Sequence, residues 1–497
     1  MKIIIFIINF LLFFILSEPA YAAGSIIAGI ILKGAASWVI SAVAFGINMV
    51  ISSVVSKVFA PNLPNSTFDT EPNPGNPTTL PAAGDNKLPV VYGTAWLGGI
   101  ITDLSITSNN QDLYYVISLC EVTNTETGGT PDTITFGDIY YGGNKVIFST
   151  TAGELFKVTG LLDESTGVTQ NVSGNMDIYL YKNGSNNPTN SGLTAIQVMQ
   201  TSGLVYTWDV TKLMTNAAFA IVHIKYNATL NITALQQIRF KVTNSRSAPG
   251  DCFLDYFTST RYGAAIPLAQ IDTTSLTALN TYANETINYT TYNGLVASIK
   301  RFEFNGVIDT NQKIMPNIQL MANSCDCLVR YNEILSLWSV IVQKSAYSVV
   351  MDINNSNMIS SLQVTPIDAS NTFNIIEVKY PDGSQTDSFS SVTYDLAVIR
   401  PDLLYPNEPV NKQSLSLQLT NNDIQAQYIA NRLLESVRDD LQVQCEINYV
   451  GLQLEAGDVV TVTNANYGWV AKLFRIMKVT EKISDSGQVT AALSLSE

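Results

Sequence analysis

Histidine is all but missing from this sequence: His223 is the only one in 497 residues. That excludes the paired-histidine zinc sites of metalloproteases and leaves metal binding to cysteines and carboxylates. The five cysteines, Cys120, Cys252, Cys325, Cys327 and Cys445, show no C-x-x-C spacing. Cys325-Asp326-Cys327 makes a strained disulfide pair and a thin metal site, so the five read as small buried hydrophobes. Charge is scarce as well. Charged residues make up 14% of the chain, where soluble domains usually carry about a quarter. The 27 basic residues are outnumbered by 41 acidic ones, for a net charge of -14, and no basic group is longer than Lys300-Arg301. A nucleic-acid face needs clustered cations to displace counterions, so no sequence-specific nucleic-acid partner is expected. The chain also lacks a Gly-x-Ser-x-Gly elbow and a P-loop Gly-Lys-Ser/Thr, and the expectation is a non-enzyme with no cofactor. Asp251-x-x-x-Asp255 falls well short of an EF-hand loop and reads as acid at a helix start, not as a calcium site.

What the sequence has in abundance is apolar and β-forming residues. Lys2, the apolar run Ile3 to Leu16 and Ala20-Tyr21-Ala22 make residues 1–22 a signal-like segment. Residues 23–60 follow as a second apolar stretch, read as a small-residue helix. Gly29, Gly34 and Gly46 permit close helix contact and Trp38 suits an interface, so this is a candidate membrane or channel segment. It reads equally well as a helix covered by protein. Residues 61–87 carry Pro61, Pro64, Pro72, Pro74, Pro77 and Pro81 among Asn, Thr and Gly, the composition of a stiff extended linker.

From Leu88 the pattern is that of short strands, as in Leu113 to Leu119 and Thr133 to Tyr141, punctuated by Gly-Gly, Asn-Gly and Asp-Gly turns. Two helices stand out. One runs from Asn317 to Cys327 with Pro316 in its first turn. The other spans Asp423 to Arg438, with Ala426, Ile429, Ala430, Leu433 and Val437 on one buried stripe. After it, Leu441, Val443, Cys445, Ile447 and Tyr449 alternate as one buried sheet face requires, and Val489, Ala491, Leu493 and Leu495 do the same, so a final barrel over 441–497 is expected with this helix packed against it. The fold class expected is mainly β: several barrel or sandwich domains with a few packed helices, behind an apolar helical N-terminal segment.

Several segments, in order, resemble a known family. Leu88-Pro89-Val90-Val91-Tyr92-Gly93, Leu113 to Glu121, and Phe136 to Gly143 are similar to the opening of the tip attachment protein J family, the central tail hub of lambda-like phages. Asp255-x-x-Thr258-x-x-Arg261-Tyr262-Gly263 resembles a later segment of that family. So do Arg301 to Ile308, Asn374 to Asp382, and the helix at 423–438 followed by Gly451-Leu452-x-Leu454-x-x-Gly457-Asp458-Val459-Val460, where Gly457 and Asp458 make the hub-barrel turn. The resemblance implies a β-rich hub domain with an insertion at 88–250, a second α+β hub module at 251–400 and a C-terminal hub β-barrel at 401–497. It also implies a homotrimer in the virion tail tip, assembled in the host cytoplasm. Its partners would be the distal tail protein, the tape-measure protein and other tip or fibre proteins, and its work host attachment and genome ejection. Ending soon after the hub barrel, the chain is not expected to carry receptor-binding modules. The signal-like start and sequons such as Asn65 and Asn171 favour a second reading, an exported cell-surface or envelope β-protein with a binding role.

Contact with the host membrane is expected to run through residues 26–60. A peptide covering residues 23–87 should float with liposomes in a density gradient; a peptide that stays at the bottom removes the membrane role.

Overall fold

The computed structural model describes residues 79–80 and 86–497, apart from 127–128, 291–295, 333–334, 343–347, 367–371, 382, 384–388, 439–440 and 484–486. The signal-like segment and the candidate membrane segment with Gly29, Gly34, Trp38 and Gly46 lie outside the described residues. No helix among the described residues is long and apolar enough to cross a membrane. The body is mainly β with a few packed helices, as expected.

Two six-stranded sheets stack first. One has the order Gly306–Ile308, Val90–Tyr92, Asp112–Glu121, Ala217–Lys225, Met176–Tyr181, with Ile100–Ile106 also paired to Asp112–Glu121. The second runs Thr94–Leu97, Ile238–Asn244, Ile134–Tyr141, Asn144–Phe148, Val158–Asp163, Val168–Asn171. Their inner faces share one core, with Ile117, Leu119, Ala220, Val222 and Ile178 meeting Ile139, Tyr141, Val158, Phe240 and Val242. Period-two alternation explains the division, because neighbouring residues on these strands point the other way. Tyr114, Val116, Tyr179, Tyr181, Phe219 and Ile221 form a separate core on the outer face, covered by Ala195, Val198, Met199 and Trp208. A strand buried on both faces reads as a nearly continuous apolar run, which is what Ala217 to Ile224 is.

The middle of the chain builds a second core from helices Pro249–Thr258, Thr273–Asn284, Ile314–Ser324 and Asp423–Ser436. These pack with a three-stranded sheet, ordered Phe389–Asp395, Ile375–Pro381, Lys412–Ser416, and with the hairpin Cys327–Asn332/Leu337–Val342. Two of the four helices escape a periodicity reading. Thr273–Asn284 is rich in Thr and Asn, poor helix formers, and is set by Asp272, whose carboxylate accepts from the N–H groups of Thr274 and Ser275. The last core belongs to a six-stranded sheet ordered Val349–Ile353, Val459–Asn464, Trp469–Ile483, Val489–Ser496, Leu441–Ile447, Gln363–Pro366. Val443, Cys445, Ile447, Ala491, Leu493 and Leu495 are buried in it, whereas Tyr449 is 69% exposed, because the chain turns into a 3-10 helix there.

Beyond Tyr449, three further expectations need correction. Helix Asp423–Ser436 starts where expected, on an Asn422 cap accepting from the Ile424 N–H at 2.8 Å. Ala426, Ile429, Ala430 and Val437 are buried, but Leu433 is half-buried and Leu434 is fully enclosed. The buried arc is wider than one stripe, with Gln425 and Gln427 also buried, and the segment around Phe373 and Glu408 meets the helix's C-terminal end. There Arg438 donates to the Phe373 carbonyl at 3.0 Å and pairs with Glu408 at 2.8 Å. Next, this helix packs on the Ile375–Pro381 sheet in the middle core, not in the core of the last sheet. Finally, the Pro-rich arm does not run free to Lys87. Leu80 donates to the Gly99 carbonyl and accepts from the Ile101 N–H, both at 2.9 Å, so the chain is fastened at Thr79–Leu80.

Replacing Leu434 by Ala should lower unfolding free energy by about 2–5 kcal/mol, the range for enclosed leucines. The same change at half-buried Leu433 should cost distinctly less. Denaturant melts of the two variants give the comparison, and equal losses would contradict the packing described.

Candidate functional site

The polar groups that matter lie where the cores meet. Asp255, on helix Pro249–Thr258, is 7% exposed. Its carboxylate accepts from the Tyr92 hydroxyl at 2.8 Å, the Tyr262 hydroxyl at 2.9 Å and the Asn124 N–H at 2.9 Å. Tyr92 comes from the first sheet, Asn124 from the loop after Asp112–Glu121 and Tyr262 from the segment following the helix. One buried anion therefore ties the sandwich to the helical core. Burial raises the Asp255 pKa above the ordinary carboxylate range although these donors and the Arg246 charge oppose it. Around it, Arg246 pairs with Asp132 at 2.6 Å and donates to the Asp251 carbonyl at 2.9 Å.

The Asp255 to Gly263 segment is thereby explained residue by residue. Thr258 turns its hydroxyl back to the Leu254 carbonyl at 2.8 Å. Arg261 reaches Glu121 at 2.6 Å, and a Cβ on Gly263 would run into the Tyr256 carbonyl. Glu126 closes the junction from the other side, accepting from the Thr260 N–H at 2.6 Å and the Arg261 N–H at 3.0 Å. Although partial burial works against it, those donors hold Glu126 below the usual carboxylate range. Asp251 does not share a site with Asp255; it accepts from Asn280 at 2.8 Å. Among the described residues no group of three or more His, Cys, Asp or Glu is placed to hold a metal ion.

A second joint lies at the last sheet. The turn Leu454 to Asp458 is closed by the Asp458 carboxylate, which accepts from the Glu455 N–H at 2.9 Å. Gly457 sits at φ +96°, which L side chains rarely adopt, and lies against Ile341 of the middle hairpin. Arg330 of that hairpin donates to the Ala456 carbonyl and pairs with Glu455 at 3.2 Å, while Asn332 donates to Glu455 at 2.7 Å. Asp326, in the turn before the hairpin, pairs with Arg432 of helix Asp423–Ser436. Gly457 and Asp458 are thus brought against Arg330, Asn332 and Ile341, none of which periodicity singles out. A cation inside the otherwise apolar strand Cys327-Leu328-Val329-Arg330 is the one signal that marks the joint in the sequence.

All five cysteines are buried and unbonded. Burial pushes the Cys120 and Cys445 thiols up to about 12, and Cys325 and Cys327 lie with their sulfurs 3.5 Å apart.

Comparison with known proteins finds similarity to phage tail and baseplate proteins. No protein-family model matches the sequence. A baseplate hub protein, pb3 of Escherichia phage T5, is 23% identical over 305 residues, covering 55% of this chain and 31% of that protein. The match thus spans about a third of the length of that curated relative. Among solved structures, a chain from the virion of a native gene transfer agent particle superposes with a TM-score of 0.51 at 13% identity, covering 84% of this chain and 86% of that one. The overall fold is therefore shared with a virion protein. A 43 kDa tail protein of prophage MuSo2 from Shewanella oneidensis, at 8% identity over 81% of this chain and 93% of that one, reaches only 0.28 and adds nothing to this.

Asp255→Ala strands two tyrosine hydroxyls and one backbone N–H in a buried place, each worth about 1–3 kcal/mol. A loss of several kcal/mol is expected, with a smaller loss for Asp255→Asn, which keeps the shape and part of the bonding. Gly457→Ala should cost more than backbone strain alone, about 1–3 kcal/mol, because the new Cβ would also run into Ile341. Thermal melts of the three variants test both joints; an Asp255→Ala protein as stable as the parent would show that the junction does not hold the cores.

Proposed function

We propose that this chain is a structural component of a phage-type tail, the central hub of its tip, and that it carries no catalytic role. The observation behind the reading is the 305-residue match to a baseplate hub protein. The fold shared with a virion chain over most of the length supports it, as does the ordered resemblance to tip attachment protein J. A hub passes load between a tube and a tip, and the polar joints suit that work. Each joint links two packed cores with charge-assisted hydrogen bonds, buried at Asp255 and partly buried at Glu455, which are directional where apolar contact alone is not. In this reading the chain is a homotrimer that joins the tail tube and distal tail protein to the tip and fibres. It meets the tape-measure protein and gates the DNA channel for host attachment and ejection. Contact with the host membrane through residues 26–60 rests on the sequence alone.

The rival reading is an exported cell-surface or envelope β-protein, favoured by the signal-like residues 1–22. Immunogold labelling with antibody to the body separates the two. Gold at the tail end farthest from the capsid supports the hub; gold on the surface of cells that make no particles supports the rival. Light scattering of the purified chain should return three times its mass, and a strictly monomeric protein at high concentration would remove the hub reading.

A further inference from the structure

The chain's only histidine is held at both ends of its ring. His223 lies on strand Ala217–Lys225, with Nδ1 2.9 Å from Asp177 and Nε2 3.0 Å from Asp112. Register explains the arrangement. His223 is directly opposite Asp177 on one neighbouring strand and Tyr114 on the other, and Asp112 is two residues before Tyr114 on the same face. Tyr114 stacks on the imidazole with ring centres 4.4 Å apart. A neutral imidazole has one N–H and one lone pair, and an ionised carboxylate only accepts. Both contacts are satisfied together only when the ring carries two protons. A neutral ring sets a lone pair against a carboxylate on one side, in a place where the ring is 13% exposed.

The cluster is wired to the segment covering the outer face. Tyr114 shares a core with Val198, Met199 and Trp208, so the residue stacked on the ring also packs against the covering segment. On the other side, the Asp112 N–H donates to the Thr107 hydroxyl at 3.1 Å, and the next residue, Ser108, donates its N–H to the Gly203 carbonyl at 2.8 Å. We propose that Asp112, His223 and Asp177 form a proton-operated latch that fastens residues 195–208 to the outer face of the first sheet while the ring is charged and slackens them when it loses its second proton.

The groups facing the ring are Asp112 and Tyr114 on one strand, Asp177 and Tyr179 on the other, and Lys225 on its own strand, directly opposite Asp112. Lys157 bridges to Asp177 through its backbone, but its ammonium is engaged by Glu154 at 2.7 Å. Lys225 is exposed, and solvent screens its charge. Burial disfavours charging the ring, but the two carboxylates outweigh it and hold the His223 pKa above its ordinary value. The sign follows from linkage. Stability contributed by the latch is complete below the unfolded-state value of about 6.5 and is lost as pH rises through the higher folded-state value.

The test uses the full chain labelled with 15N-histidine, in which a single residue supplies every imidazole signal. Both ring nitrogens should be protonated at pH 6, with a titration midpoint above about 6.5. In Asp177→Asn, which keeps the side chain's shape, the midpoint should fall by about one unit, the shift expected on removing an adjacent opposite charge. Hydrogen exchange of residues 107–112 and 195–208, corrected for the intrinsic pH dependence, should quicken across the midpoint, and at lower pH in the variant. A midpoint at or below the ordinary value overturns the doubly protonated ring. Exchange in those segments that ignores the midpoint, or does not move with it in Asp177→Asn, overturns the latch.

Discussion

A carboxylate buried between two hydrophobic cores must be met by donors, or it drives the cores apart. Asp255 is met by three, and they come from separate parts of the chain: Tyr92 from the first sheet, Asn124 from the loop beyond it and Tyr262 from the segment after its own helix. Apolar surfaces can slide over one another at little cost, because the hydrophobic effect has no direction. Hydrogen bonds to a fixed anion cannot. The relative placing of sandwich and helical core therefore depends on this one group more than on the larger apolar area around it.

The same logic recurs at smaller scale. Arg330 and Asn332 reach Glu455 and the Ala456 carbonyl across the boundary between middle hairpin and last sheet, and Arg438 meets Glu408 where the chain around Phe373 meets the end of the helix. Removing one partner of such a pair leaves an uncompensated charge, so the arrangement is unforgiving of single changes. The low overall charge fits this picture. Several of the few charges present are spent inside, at seams.

Much of the architecture was readable in the residues, and the exceptions have physical causes. Strands with clean alternation, such as Leu441 to Ile447 and Val489 to Leu495, declare their buried face because side chains alternate by geometry alone. The helix at 423–436 declares itself through its cap and stripe, yet its packing partner does not, since periodicity says which side is buried and not against what. Leu434 was missed for that reason: the buried arc is wider than the single stripe that periodicity marks. Helix Thr273–Asn284 was invisible because its Thr and Asn residues favour other local structures and only tertiary contact overrides them. The Asp255 segment was recognisable by resemblance, but its role as an anchor needed Tyr92 and Asn124, over 130 residues away.

The fastening at Leu80 has a mechanical side. Leu80 runs parallel to Ile100, and its two backbone hydrogen bonds flank that residue. A pull applied to Leu80 along the strand direction loads both bonds together instead of opening one after the other. Such a pull passes as shear into strand Ile100–Ile106 and from there into its partner Asp112–Glu121. The load thus enters the first sheet, where it spreads over many hydrogen bonds at once.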